Sequence, residues 1–187
     1  MKEYLMLLIS PSKALDKLND EYRDPLVQYL IGTSILAVIS LPKFLAMLLN
    51  NPNGLAVILG YLIVIALIYF PYTYGIGFIY WIIAKGFNGT SSFIETRNLI
   101  LYTTLPLVLN TFISVPYLII GLIKKDAGIV LHYNYLTNLI FWFFSFRILM
   151  VGFAKYNKFN WTITLIAHLI VTSVLGGLVY LLLQLKR

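Results

Sequence analysis

Arg147 is the residue of this 187-residue chain whose chemistry most needs an explanation. It lies between Phe146 and Ile148 in a long apolar run. A charge at the centre of a membrane span costs about 2.5–3.5 kcal/mol on insertion scales, so such an arginine needs a compensating contact. One interpretation places Arg147 in a polar cavity, where it meets a lipid phosphate, a substrate anion or the acid Glu95. The other is snorkelling toward the interface, because Lys155 lies about 12 Å further along a helix.

Groups of residues that could support catalysis or bind a metal ion are missing from the sequence. The chain has no cysteine and two isolated histidines, His132 in a predicted loop and His168 within an apolar run. A zinc site needs clustered His, Cys, Asp or Glu, and a hydrolase needs a nucleophile with a basic partner. We therefore expect no enzyme activity and no cofactor. His168 is expected to make a polar contact between helices.

The composition is that of a membrane protein. Hydrophobic residues make up 60% of the chain and charged residues only 11%, whereas soluble domains carry about 25% charged residues. This excludes a soluble enzyme, a disordered protein and a disulfide-stapled secreted module. The formal net charge is +7, but the basic residues are scattered singly between apolar runs. They therefore indicate membrane orientation and no nucleic-acid partner.

Five apolar segments are long enough to cross the hydrocarbon core, which takes about 20 helical residues. They cover residues 26–49, 55–84, 99–123, 135–154 and 161–185. The second segment is longer than the bilayer core requires and contains Pro71. We predict one kinked or tilted helix there, with two half-helices as the alternative. The small residues between Thr73 and Gly77 predict a bend or a close helix approach, and Pro106 and Pro116 predict kinks in the third segment.

The residues before the first span predict an amphipathic helix. Ser10 and Pro11 form an N-cap followed by proline at the first helical position. Apolar residues then recur at helical spacing, at Ala14, Leu15 and Leu18, with charged residues on the other faces. We expect this helix to lie on the membrane surface, an unstructured charged tail being the alternative. The predicted fold is all-α: a cytoplasmic tail with this helix (1–25) and a bundle of five transmembrane helices (26–187).

The basic residues also predict the orientation of the bundle. Eight of them fall on the side of the N-terminus and five on the other side. The eight are Lys2, Lys13, Lys17, Arg23, Lys85, Arg97, Lys155 and Lys158, and the five are Lys43, Lys124, Lys125, Lys186 and Arg187. Because cytoplasmic loops carry an excess of Lys and Arg, we expect a cytoplasmic N-terminus and an outward C-terminus.

The stretch from Trp81 to Pro106 resembles the Yip domain family of Ypt/Rab-interacting, five-span membrane proteins. The positions that carry the resemblance are Trp81, Ala84, Lys85, Gly89, Ser92, Phe93, Glu95, Tyr102 and Pro106. The segment from Ser10 to Leu15 is similar to the family's proline-led helix, and Trp142 matches an aromatic position in the fourth span. Two positions depart from the pattern: Asn88 replaces the first glycine of a pair, and Arg147 stands where the family is ordinarily apolar.

The resemblance implies five helices, a cytosolic N-terminus and self-association. In eukaryotic relatives it also implies vesicle traffic through Rab GTPases, but the 25 residues before the first span make this chain similar to prokaryotic members. We therefore expect a non-enzymatic membrane-organising or trafficking-type scaffold, in the cell membrane if prokaryotic, with a protein partner on its cytoplasmic face. Expected functional positions are Arg147, Glu95, Lys85, Gly89, Pro106 and His168. The alternative is a small transporter or scramblase-like protein in which Arg147 handles anionic lipids or solutes.

Overall fold

The computed structural model describes residues 2–21, 25–51 and 53–184, and every regular element within these ranges is helical. The helices are α1 (Lys2–Ile9), α2 (Pro11–Glu21), α3 (Pro25–Leu49), α4 (Gly54–Phe70), a π-helical segment (Pro71–Gly75), α5 (Ile76–Gly86), α6 (Phe93–Tyr102), α7 (Leu105–Lys124), α8 (Ala127–Asn157) and α9 (Trp161–Gln184). Arg23, Lys186 and Arg187, used above for orientation, lie outside the described residues.

Five helical stretches in this part of the chain are long and apolar enough to cross a membrane, as the sequence predicts. They are Tyr29–Leu49, Gly54–Gly86, Phe93–Lys124, Thr137–Asn157 and Trp161–Leu178. The predicted all-α membrane bundle is therefore confirmed. Helix α8 begins at Ala127, so the backbone of His132 belongs to a helix and not to a loop, and its side chain lies outside the description.

The second span is one continuous helical stretch of 33 residues. This agrees with the single bent helix and not with two half-helices. Pro71 has no N–H to donate to the preceding turn, and the backbone takes the wider π-helical register from Pro71 to Gly75. Beyond it, a Cβ on Gly77 would stand 3.0 Å from the Cα of Arg97. Gly77 thus permits the predicted close approach, here between α5 and α6.

The third span differs from the prediction. It begins at Phe93 and is interrupted by a turn at Thr103 and Thr104, so α6 and α7 are separate helices. Pro106 lies in the first turn of α7, where a backbone N–H has no carbonyl acceptor within the helix. The N–H that proline lacks therefore costs no helical hydrogen bond, and Pro106 does not kink α7. Arg97 lies inside α6 and not in the loop to which the sequence assigned it.

Helices α1 and α2 form a hairpin, the N-terminal hairpin, whose only connecting residue is Ser10. Helix α2 begins at Pro11 as predicted. Its apolar residues Ala14, Leu15 and Leu18 have no exposed surface, because they pack in one hydrophobic core with residues of α6 and α8. The sequence placed this apolar face against the membrane surface, but the structure covers it with protein.

Among the described residues, three helices are followed within two residues by a left-handed residue that is not glycine. Asn88, Lys125 and Lys158 have φ angles of 61°, 53° and 56°. In each case the following N–H donates to a carbonyl five residues back, for example Asp126 to Gly121 at 2.9 Å. These are Schellman caps, which usually carry glycine at this position. Asn88, the departure from the family pattern, tolerates the same backbone conformation because asparagine enters the left-handed region more readily than most residues.

We expect Lys125→Gly to stabilise the protein by about 0.5–1 kcal/mol, because it relieves left-handed strain at a small entropic cost. Lys124→Gly is the matched control, since it removes the same charge from an exposed position in the last helical turn. It should destabilise by about 0.5–1 kcal/mol. Thermal unfolding in detergent micelles measures both variants, and equal shifts of the same sign would contradict the strain argument.

Candidate functional site

Arg147 binds the corner of the N-terminal hairpin. Its Nη1 donates to the carbonyl of Leu8 at 2.7 Å, and its Nη2 donates to the carbonyl of Ile9 at 3.2 Å. Leu8 and Ile9 are the last residues of α1, so their carbonyls have no acceptor role within that helix. The guanidinium therefore caps the C-terminus of α1.

The contact with the end of α1 explains why a charged residue is tolerated at position 147. Arg147 lies ten residues before the end of α8, within its stretch Thr137–Asn157 that is apolar enough to cross a membrane, so the hairpin corner sits alongside a membrane-spanning segment. A backbone carbonyl without a partner in hydrocarbon costs several kcal/mol, as does an unpaired arginine. Each group satisfies the other. The apolar side chain of Leu7 is also buried, while Ile9 is exposed.

A second set of bonds fastens α2 along α8. Lys155 donates to the carbonyl of Ser12 and pairs with the Asp16 carboxylate at 2.5 Å. The hydroxyl of Tyr156 donates to the carbonyl of Leu15 at 3.4 Å. From α6, the hydroxyl of Tyr102 donates to the carbonyl of Leu18 at 2.9 Å. Side chains of two spans thus bind the hairpin through its backbone.

Glu95 does not contact Arg147, contrary to the expected pair. Its carboxylate accepts from the backbone N–H of Ser92 at 2.7 Å, and the Ser92 hydroxyl accepts from the N–H of Glu95 at 3.2 Å. This reciprocal pair is a capping box at the start of α6. The spacing Ser-x-x-Glu is the signal of this cap in the sequence.

Asn157 joins the loop after α5 to the end of α8. Its buried Oδ1 accepts from the Ser91 hydroxyl at 2.7 Å and from the Ser91 N–H at 3.2 Å. The backbone of Gly89 passes so close that an added Cβ would lie 2.3 Å from that same oxygen. Lys85 donates to the Gly89 carbonyl at 3.0 Å. Two expected site residues, Lys85 and Gly89, therefore meet in a structural junction that sequence analysis missed.

Arg97 is a second buried cation that the sequence did not single out. It is 8% exposed, donates to the hydroxyl of Tyr74 at 2.9 Å and to Asn98 at 3.2 Å, and lies 4.9 Å from the centre of the Tyr74 ring. The ring face and the hydroxyl together stabilise the guanidinium. Its position between Glu95 and the apolar run beginning at Leu99 made it look like a loop residue.

His168 makes the polar interhelical contact that its position predicts. Its Nδ1 lies 2.5 Å from the hydroxyl of Tyr80, and its ring packs edge-on against Phe146. The pair borders a cavity of about 210 Å³ between α5, α6, α8 and α9. Pro106 and Arg147 do not line this cavity. Within the described residues, no cluster of three His, Cys, Asp or Glu could hold a metal ion.

The Arg147 contact predicts how the hairpin opens. The chain has no cysteine, so Ala14→Cys introduces a single thiol at a buried position of α2. Adding Arg147→Ala should raise its rate of maleimide labelling about thirtyfold, since losing a charged hydrogen bond costs about 2 kcal/mol. Lys17→Ala removes an exposed charge of α2 that takes no part in the described bonds to α6 and α8, and so it should change the rate less than about fivefold. Equal effects of the two variants would contradict the capping role.

The junction at Gly89 predicts a steric effect. Gly89→Ala should destabilise by about 1–3 kcal/mol, because its methyl group meets the backbone carbonyl of Ala84 as well as Asn157. A Cβ on Gly86 meets nothing within 4 Å, so Gly86→Ala should leave the unfolding temperature unchanged or raise it. Thermal unfolding in micelles compares the two, and an unchanged Gly89→Ala protein would refute the tight junction.

Comparison with known proteins identifies the family. Comparisons with curated proteins and with solved structures found no match. A family model described as the Yip1 domain matches residues 5–183, which include most of the N-terminal hairpin and all five apolar stretches. The resemblance seen in the sequence is therefore confirmed, and the chain belongs to the Yip1 domain family of multi-pass membrane proteins.

Proposed function

We propose that this protein is a non-enzymatic membrane scaffold that binds a protein partner through the outer face of its N-terminal hairpin. The observation that carries the proposal is the way in which the hairpin is held. Four side chains from two spans bind its backbone carbonyls, namely Arg147, Lys155, Tyr156 and Tyr102. Carbonyl contacts leave the side chains of the hairpin's outer face available for recognition.

That outer face is charged and exposed. Lys13 and Lys17 are exposed on α2, beside the Asp16 carboxylate that pairs with Lys155, while the opposite face of the same helix is fully buried. A helix with basic side chains on its free face suits a transient partner whose charges are complementary. The excess of basic residues on this side of the bundle favours a cytoplasmic location, so we infer a cytosolic partner. Binding of anionic lipids and self-association stay predictions of the sequence.

A transporter or scramblase centred on Arg147 is the competing function. It requires a guanidinium that meets the substrate. Both described hydrogen bonds of Arg147 go to the carbonyls of Leu8 and Ile9, so an anion would have to share the guanidinium with the end of α1 and use its remaining N–H donors. The geometry therefore favours the scaffold.

Photocrosslinking in native membranes tests the scaffold proposal. A photoreactive amino acid replaces Lys13 on the hairpin or, as the matched control, Lys124 at the other end of the bundle. We expect discrete protein adducts from position 13, a severalfold loss of these adducts on adding Lys17→Glu, and a different or empty adduct pattern from position 124. The proposal fails if positions 13 and 124 give the same adducts, or if Lys17→Glu leaves the adducts at position 13 unchanged.

A further inference from the structure

The cavity beside His168 has a chemistry of its own, separate from the N-terminal hairpin. Thirteen residues line it, and none of them is Asp, Glu, Lys or Arg. A charged ligand at membrane depth would need a countercharge, because an isolated buried ion is strongly destabilised. The lining therefore selects an uncharged ligand.

The polar atoms of the cavity are arranged mainly as acceptors. The hydroxyls of Thr103, Ser145 and Thr172 each donate to a carbonyl of their own helix, at 2.6, 3.0 and 3.0 Å. Their remaining lone pairs are left for other donors. Tyr72, from the π-helical segment, also borders the cavity. Segments of π-helix recur at functional sites because they displace side chains from the regular helical register.

His168 supplies a polar ring nitrogen to the cavity. In the tautomer in which the Tyr80 hydroxyl donates to Nδ1, the neutral ring carries its proton on Nε2, whereas in the other tautomer Nδ1 donates to Tyr80 and Nε2 is an acceptor. Among the described residues, Nε2 has no hydrogen-bond partner. In the first tautomer a ligand oxygen can accept from Nε2, and in either tautomer a ligand hydroxyl can donate to one of the neighbouring threonine or serine oxygens.

The size and the opening of the cavity restrict the ligand further. A cavity of about 150 Å³ holds a benzene ring, so the roughly 210 Å³ here admits one ring or one glycerol ester and not a whole lipid. Two lining residues, Trp142 and Thr172, are exposed on α8 and α9 within the apolar spans. A hydrocarbon tail can leave between them into the bilayer.

We propose that this cavity binds the head of a neutral membrane lipid that carries a carbonyl or hydroxyl oxygen, with its tail in the bilayer between α8 and α9. Aromatic side chains at Tyr72, Tyr80, Trp142 and Phe146 provide flat apolar walls for the head. A prenylquinone and a diacylglycerol both have this chemistry. The site is independent of the scaffold proposal, because no residue of the hairpin lines it.

Native mass spectrometry of the full chain in detergent micelles tests the site, with a prenylquinone, a diacylglycerol and phosphatidylglycerol as separate probes. We expect at least one neutral lipid to bind at a ratio of one to one, and phosphatidylglycerol neither to bind there nor to displace it. Binding by one neutral lipid alone identifies the source of the head group.

Two adjacent residues of α9 give a matched pair of variants. Thr172 and Ser173 are both exposed, but only Thr172 borders the cavity. Thr172→Trp should weaken neutral-lipid binding at least tenfold by filling the mouth, and Ser173→Trp should change it less than twofold. His168→Phe, which keeps a ring but removes the ring nitrogens, should weaken binding about five- to thirtyfold.

Three results would each overturn the proposal: no binding of either neutral lipid, equal binding by Thr172→Trp and Ser173→Trp, or competition by phosphatidylglycerol at equal strength. If His168→Phe does not fold, the pair at Thr172 and Ser173 still decides. Adducts in the crosslinking experiment at Lys13 do not depend on any of these outcomes.

Discussion

The structure depends on the need to satisfy backbone carbonyls where water is scarce. A helical hairpin that turns at Ser10 beside a membrane span exposes the carbonyls at the end of α1, and the guanidinium of Arg147 binds two of them. Neither group is stable there alone. Once the corner is capped, Leu15 and Leu18 of α2 are buried in the same core as residues of α6 and α8, so the N-terminal residues become part of the bundle.

Backbone N–H groups must be satisfied as well as carbonyls, and several polar residues near this end of the bundle serve one or the other. Glu95 and Ser92 cap α6, Asn157 binds the backbone around Ser91, and Lys85 binds the carbonyl of Gly89. These side chains are used to fix the backbone, which leaves the exposed charges of α2 as the accessible polar surface. That division of roles is what the scaffold proposal rests on.

The cavity around His168 is different in kind. Its walls are aromatic and its hydroxyls are bonded to their own helices, so it is polar without being charged. Helix α8 connects the two regions directly, since Phe146 borders the cavity and its neighbour Arg147 holds the hairpin. A shift of α8 would therefore change both the cavity and the contact between Arg147 and the N-terminal hairpin.

The sequence alone determined the class of the protein, the number of spans, the single bent second helix, the start of α2 at Pro11 and the family. Each of these follows from the length of apolar runs, from proline or capping chemistry, or from local motifs, which act between residues close together in the chain. Only the tertiary structure decided what Arg147 contacts, which ring stabilises Arg97 and which surface covers Ala14 and Leu15. Those contacts join residues that are far apart in sequence, such as Arg147 and Leu8 or Arg97 and Tyr74. The pattern of apolar residues in a sequence is the same for a helix face that lipid covers and for one that protein covers, because both remove the face from water.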